Sequence, residues 1–386
     1  MHNCIEREDL LLYTIYSITE NSRFELSVTI YFVNCQEVEK MNETIKNPNQ
    51  GINVLKFIAV VLVILIHESL PGTGGKIVKG IAAMSVPVFF MISGYYSYGK
   101  EMAKIKKSCI RMFWMTALVN AIYFIYDIIV EFLSGASATA WLKENCSLKR
   151  ILVFLLTNES PFRGHLWFLG ALLYSYLFLL IFLIYIEKGR GRLAKLIKEN
   201  QIKFLFSLAV CLLILNIAGG EFLTFYGKNI QIPYIRNWLF MGLPFFGLAY
   251  CIHAYEERIY CSLSSKKLCA MLALSFLLNI LEVSLMPDSG LYITTIFVNI
   301  IAFLLALSFH NIQSSLLIRL GNLADKYGLW IYALQIMVIK CLRWCYQRFG
   351  IADKTMVQVL SPFIVLVFSF LLAIVPVWIS SVIKRK

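Results

Sequence analysis

Charged residues are scarce in this chain: Asp, Glu, Lys and Arg make up 15% of its 386 residues, and hydrophobic residues make up 59%. Soluble globular domains contain about 25% charged residues, so this composition excludes a soluble domain. The charge is also unbalanced, with 36 Lys and Arg residues against 23 Asp and Glu residues. In so apolar a chain we expect the basic excess to lie in cytoplasmic loops of a membrane protein, and we expect no nucleic-acid partner.

Motifs for metal and phosphate binding are also missing. The ten cysteines form no CxxC pair, and no His and Cys residues have the spacing of a zinc site. There is no Gly-rich loop of the kind that holds nucleotide phosphates. The sequence therefore predicts neither a bound metal nor a bound cofactor.

Apolar runs long enough, or nearly long enough, to cross a bilayer dominate the sequence after residue 52. Ten such runs lie near 53–70, 80–99, 109–131, 166–186, 204–219, 237–254, 268–286, 290–309, 327–345 and 357–382. They predict an all-α, polytopic membrane helix bundle with about ten transmembrane helices. A shorter run at 151–158 is predicted to lie at the membrane surface or to dip into it.

The distribution of basic residues sets the orientation of this bundle. If the first span begins in the cytoplasm, the loops and ends on that side carry 21 Lys and Arg residues against 12 on the other side. Cytoplasmic loops carry the excess of Lys and Arg. We therefore predict that both termini are cytoplasmic.

The first 50 residues differ from the rest. Their apolar runs are too short to span, and no signal-peptide pattern is present. We expect residues 1–50 to form an N-terminal extension, of which 1–40 is either a poorly ordered appendage or an upstream extension of the reading frame. Residues 51–386 form one membrane domain.

The first span carries one cation at its start, Lys56, and one imidazole near its end, His67. Eleven residues are about three helical turns, so both side chains share one face, roughly 16 Å apart. Ionisable groups inside a bilayer usually mark function. The predicted orientation places His67 at the outer level.

Three other spans carry chemically capable side chains at the outer level. His165 and Trp167 begin the fourth span, Arg236 begins the sixth, and Glu282 lies near the outer end of the seventh. With His67 they are expected to converge on one level of the membrane, although they are far apart in sequence.

Four segments together resemble the family-three membrane acyltransferases. They are the Lys56-x10-His67 helix, SVPVFFMISGYY at 85–96, HLWFLGALLYSYL at 165–177 and RNWLFMGLPFFGLAY at 236–250. The resemblance implies a bacterial plasma-membrane protein that moves an acyl group, mostly acetyl, from acyl-coenzyme A to a hydroxyl of a surface polysaccharide or lipid-linked sugar. Lys56 stands where the family usually has Arg, and Gln335 where a His often follows Ile-Tyr.

Roles for the site residues follow from the resemblance and from their chemistry. His67 is the expected general base, since imidazole titrates near neutral pH, and Glu282 would orient it or bind acceptor hydroxyls. The expected donor-binding residues are Lys56, Lys107 and Arg111, and the expected acceptor-binding residues are His165, Trp167 and Arg236. Each role has a structural alternative. Lys56 would be an anchoring lysine, and Lys107 and Arg111 would belong to a cluster that only follows the positive-inside rule. His165 and Trp167 would be ordinary interfacial residues, His67 an interfacial histidine bonded to a neighbour, and Glu282 would pair with Arg236.

Two other functions remain open at this point. A transporter or flippase for a glycan or small molecule would also place charges inside a helix bundle, although the chain shows no inverted repeat. A relative of the family that no longer catalyses would fit Lys56 and Gln335. Cleavage of an acyl thioester by the purified protein separates the enzyme from both.

Overall fold

The computed structural model describes residues 49–383 except 136, 229 and 287–289, and these residues form helices, turns and loops without a β-strand. Eight described helices are long and apolar enough to cross a membrane, and two more are apolar but shorter. We number them α1 Gln50–His67, α2 Gly72–Tyr95, α3 Met102–Leu133, α4 Gly164–Lys188, α5 Gln201–Phe225, α6 Trp238–Ala254, α7 Ser265–Leu285, α8 Ile293–Ser308, α9 Ser315–Arg348 and α10 Thr355–Val382. The predicted all-α membrane bundle is confirmed. Residues 1–48 of the predicted extension lie outside the described residues.

Each predicted run corresponds to one of these helices, but several helices are longer than their apolar run. The ninth run, 327–345, lies inside the 34-residue helix α9, because its polar first turns continue the same helix. The fifth run continues through a π-helical turn, Ala218–Phe222, to the end of α5. The length of an apolar run therefore gives only a lower limit for the length of the helix that contains it.

Helices α1 and α9 pack closely along a shared seam. A side-chain carbon on Gly321 would lie 3.0 Å from the backbone of Asn53, and one on Gly328 would lie 3.0 Å from Val60 Cγ2. Small residues let membrane helices approach in this way, where van der Waals contact drives association. Both contacts advance by seven residues on each helix, so α1 and α9 run parallel, as expected for two odd-numbered spans.

The segment between α3 and α4 contains two short helices, Ala138–Asn145 and Leu148–Thr157. The second contains all but the last residue of the run predicted for the membrane surface, and it exposes Leu152 and Leu156. Its C-cap is Asn158, whose side-chain oxygen accepts a hydrogen bond from Trp238 N at 3.2 Å. This contact ties the approach to α4 to the start of α6, and so brings two predicted site segments together.

Candidate functional site

Two imidazoles meet where α1 ends and α4 begins. The ring centroids of His67 and His165 are 5.8 Å apart, with the rings nearly perpendicular. His67 is half-buried, and no hydrogen bond in the described part of the chain involves either of its ring nitrogens. Its ring is therefore available to a bound substrate.

His165 is held in a fixed orientation. It is buried, with 7% of its surface exposed, and its Nε2 lies 3.2 Å from the carbonyl oxygen of Ala333. A carbonyl oxygen only accepts, so Nε2 carries the proton, and Nδ1 of the neutral ring is the unprotonated nitrogen. The Tyr332 hydroxyl donates to the backbone oxygen of His165, and the Tyr123 hydroxyl donates to Ala333 O at 2.9 Å.

Three cations lie near His67. Arg236, Lys79 and Arg343 are close enough to act electrostatically on its ring. Arg343 Nη2 also donates to the backbone oxygen of His67 at 3.2 Å. Of these three cations, Arg343 is itself paired with Glu68 at 2.7 Å.

Arg236 is positioned by an aromatic ring. Its guanidinium carbon lies 5.6 Å from the centroid of Trp167, a distance typical of a cation–π interaction. Trp167 is buried, and its ring also lies 5.9 Å from that of Phe90. The ring therefore holds the guanidinium of Arg236, and the acceptor-binding role of Trp167 stays a prediction.

Four predicted site residues thus lie together: His67, His165, Trp167 and Arg236. Glu282 does not join them through any contact in the described part of the chain. Its carboxylate accepts hydrogen bonds from the backbone N at 2.9 Å and the hydroxyl of Thr294, and it hydrogen-bonds Glu221. Since these partners cap the start of α8, the structure gives no support to a Glu282 that orients His67.

A buried ion pair beneath His165 was not predicted from the sequence. Arg163 pairs with Asp127 of α3, and their side chains are 16% and 6% exposed. The guanidinium carbon of Arg163 also lies 5.6 Å from the centroid of Tyr123. An Asp inside an apolar run, and an Arg two residues before His165, were the signals that could have revealed this pair.

Lys56, at the opposite end of α1, is paired. It forms an ion pair with Asp325 of α9, and its Nζ donates to Asn53 Oδ1 at 3.3 Å. Its side chain is 18% exposed and that of Asp325 is 51% exposed. Nearby, burial and the charge of Asp325 raise the pKa of Tyr96 to about 12, so this phenol keeps its proton at neutral pH. Lys56, Asp325 and Tyr96 thus form a polar end face of the bundle, at the end opposite to His67.

The basic residues predicted to bind the donor lie near this end face. Lys107 and Arg111 are exposed on α3. Lys100, which was not predicted to bind the donor, belongs to the same group, because burial and the charges of Arg111 and Lys104 lower its pKa. Like charges lower a lysine pKa only at short range, so these three cations form one cluster.

A cavity of about 290 Å³ opens beside the end of α1. Its lining includes Glu68, Arg343, Tyr346, Gln358 and Ser361. Arg343 pairs with Glu68 at 2.7 Å and Ser361 donates to Glu68 at 2.8 Å. The buried Tyr346 hydroxyl has no hydrogen-bond partner in the described part of the chain. The cavity is close to the lower limit of about 300 Å³ for small-molecule sites.

The described residues contain no cluster of three His, Cys, Asp or Glu side chains able to hold a metal ion. A family model with the description "Acyltransferase domain" matches residues 49–382. No curated protein and no solved structure matched the chain.

Proposed function

Because the chain belongs to acyltransferase family 3, we propose that this multi-pass membrane protein is an O-acyltransferase of the bacterial plasma membrane. It transfers an acyl group, in the simplest case acetyl, from cytosolic acyl-coenzyme A to a hydroxyl of a cell-surface polysaccharide or a lipid-linked sugar. Neither substrate is a resident cofactor, and both leave after each turnover.

The available imidazole of His67 is the observation that carries this proposal. Attack on a thioester needs a base that removes the proton of the acceptor hydroxyl, and a positioned histidine is the commonest such group. The hydroxyl proton passes to His67 as the new oxygen–carbon bond forms. The carbon–sulfur bond then breaks, and His67 returns the proton to the coenzyme sulfur.

The cations around His67 support the same reaction. Attack on the acyl carbonyl places negative charge on its oxygen, and fixed positive charges stabilise that charge most strongly where water is excluded. Arg236 is the best placed of these cations, because the Trp167 ring fixes its position. His165 would act as a positioning residue, since its ring packs on His67 at 5.8 Å.

The donor would enter at the opposite end of the bundle. The cluster of Lys100, Lys104 and Arg111, with Lys107 nearby, offers the positive charge that coenzyme phosphates require. Lys56 lies on the same face of α1 as His67 and about three turns from it. The long flexible arm of the coenzyme would carry the acyl group along this distance.

The acceptor would approach from the end of the bundle that holds His67. The cavity beside Glu68 and Arg343 is lined by hydroxyl, amide and paired charged groups, as suits the hydroxyls of a sugar. Its connection to the reacting end is direct, because Arg343 hydrogen-bonds both the Glu68 side chain and the His67 backbone.

Purified protein in lipid nanodiscs tests the enzyme function. With acetyl-coenzyme A and a mixture of glycan and lipid-linked sugar acceptors, we expect free coenzyme thiol to appear in step with acetylated acceptor. Empty nanodiscs give the background rate. A carrier or a non-catalytic relative would produce no thiol above this background with any acceptor, and that result would contradict the proposal.

A further inference from the structure

Gln335 is a polar side chain buried without a hydrogen bond. It is 0% exposed, and neither its amide nitrogen nor its amide oxygen has a partner in the described part of the chain. Buried side-chain amides are nearly always hydrogen-bonded, and leaving one unpaired lowers the stability of the fold. A residue that lowers stability in this way is a candidate for binding a substrate, whose polar groups would pair with the amide.

The seam between α1 and α9 places Gln335 at the level of His67. Gly321 packs on Asn53 and Gly328 packs on Val60, and each step advances seven residues on both helices. The same spacing, carried one step further, puts Gln335 opposite His67, the last residue of α1. The ion pair of Lys56 with Asp325 keeps the same register, since its two members differ by 269 positions and Gln335 and His67 by nearly the same number.

Gln335 is also close to the groups that hold His165. One turn of α9 contains Tyr332, whose hydroxyl donates to His165 O, and Ala333, whose carbonyl accepts from His165 Nε2. Gln335 follows two residues later in the same helix. Gln335 therefore lies within one turn of both groups that hold His165, in the helix that packs along α1.

We propose that Gln335 is a substrate-binding residue whose amide N–H donates to the carbonyl oxygen of the acyl thioester. This inference rests on the proposed function. As the acceptor oxygen bonds to the acyl carbon, an electron pair moves onto the carbonyl oxygen, and the Gln335 amide stabilises the resulting charge. The pair returns when the carbon–sulfur bond breaks. A neutral donor suits this position because burying an unpaired amide between turnovers costs less free energy than burying an unpaired cation.

Gln335→Met tests this role, because methionine has a similar shape and makes no comparable hydrogen bond. We expect the melting temperature to rise by a few degrees, since an unpaired buried group is removed. We expect kcat to fall roughly 10²-fold, as for loss of one oxyanion donor. Gln335→His, which keeps an N–H donor, should recover a measurable part of this rate.

Ser369→Ala is the matched control. Ser369 is likewise 0% exposed with an unpaired hydroxyl, but it lies in α10. Its neighbour Phe370 contacts Tyr327 of α9, and Tyr327 lies about two turns before Gln335. This variant should melt at or above the wild-type temperature with an unchanged kcat. A Gln335→Met protein that loses stability and activity together, or keeps full activity, would overturn the proposal.

A binding measurement separates this proposal from the proposed function. A non-cleavable ketone analogue of acetyl-coenzyme A should raise the melting temperature of the wild type and raise that of Gln335→Met much less. Equal shifts in the two proteins would overturn the role of Gln335 alone. No shift and no transfer by the wild type would overturn the proposed function, and this inference with it.

Discussion

Replacing His67 with Asn is expected to slow acyl transfer by about 10²–10⁴-fold, the usual contribution of a general base. Asn is polar and smaller than His, and no hydrogen bond of the His67 ring in the described part of the chain would be lost. The fold should therefore survive the change. The measurement is kcat with acetyl-coenzyme A and acceptor, at equal amounts of purified protein and with melting temperatures compared.

His253→Gln is the control for this experiment. His253 lies at the opposite end of the bundle, stacked on Tyr95 at 4.3 Å, and its loss should leave kcat within a few-fold of the wild type. If His67→Asn retains the wild-type rate, His67 is not the base, and His165 becomes the next residue to test. A loss of activity with a matching loss of folded protein would also contradict the assignment.

Breaking the buried pair of Asp127 and Arg163 is expected to have the largest effect on stability. Asp127→Leu leaves the Arg163 guanidinium buried without its counter-ion, which typically costs about 3–5 kcal/mol. We expect the free energy of unfolding to fall by this amount. Because Arg163 packs on Tyr123 and immediately precedes the His165 segment, the surviving protein should also lose activity.

Two comparisons sharpen this prediction. The double variant Asp127→Leu with Arg163→Met should be more stable than Asp127→Leu, since no charge remains unpaired. Glu199→Gln removes the exposed pair with Lys195 and should cost less than about 1 kcal/mol. If Asp127→Leu is as stable as Glu199→Gln, Arg163 does not depend on Asp127 and the account of this pair is wrong.

The meeting of His67, His165 and Arg236 could be predicted from the sequence. Spans that alternate in direction put the end of α1 on the same side of the membrane as the starts of α4 and α6, and the count of basic residues assigned this side to the outer face. The structure brings the three residues together as expected. Both steps use only span lengths and loop composition, which a sequence states directly.

The partners of single side chains could not be predicted in the same way. Glu282 was expected near His67 because it has the right depth, but depth does not fix the direction in which α7 presents a side chain. In the structure Glu282 faces Glu221 and Thr294 instead. Glu221 itself lies in a π-helical turn, and apolar periodicity gives no sign of such a turn.

Lys56 and Gln335 illustrate the same limit. Both residues lie on the seam of α1 with α9. This seam depends on two glycines of α9 that are seven residues apart, and α9 begins 12 residues before its predicted apolar run. The sequence identified both positions as departures from the family pattern. That Lys56 is paired and Gln335 is unpaired became visible only in the packed helices.

Sidedness of the reaction tests the central claim most directly, namely that donor and acceptor meet at His67 from opposite faces of the membrane. In sealed proteoliposomes of one orientation, labelled acetyl-coenzyme A would be supplied at the face of Lys56 and acceptor at the face of His67. We predict acetylated acceptor in this arrangement and none when the donor is supplied only at the His67 face. Product that forms only when both substrates are at the same face would contradict the account.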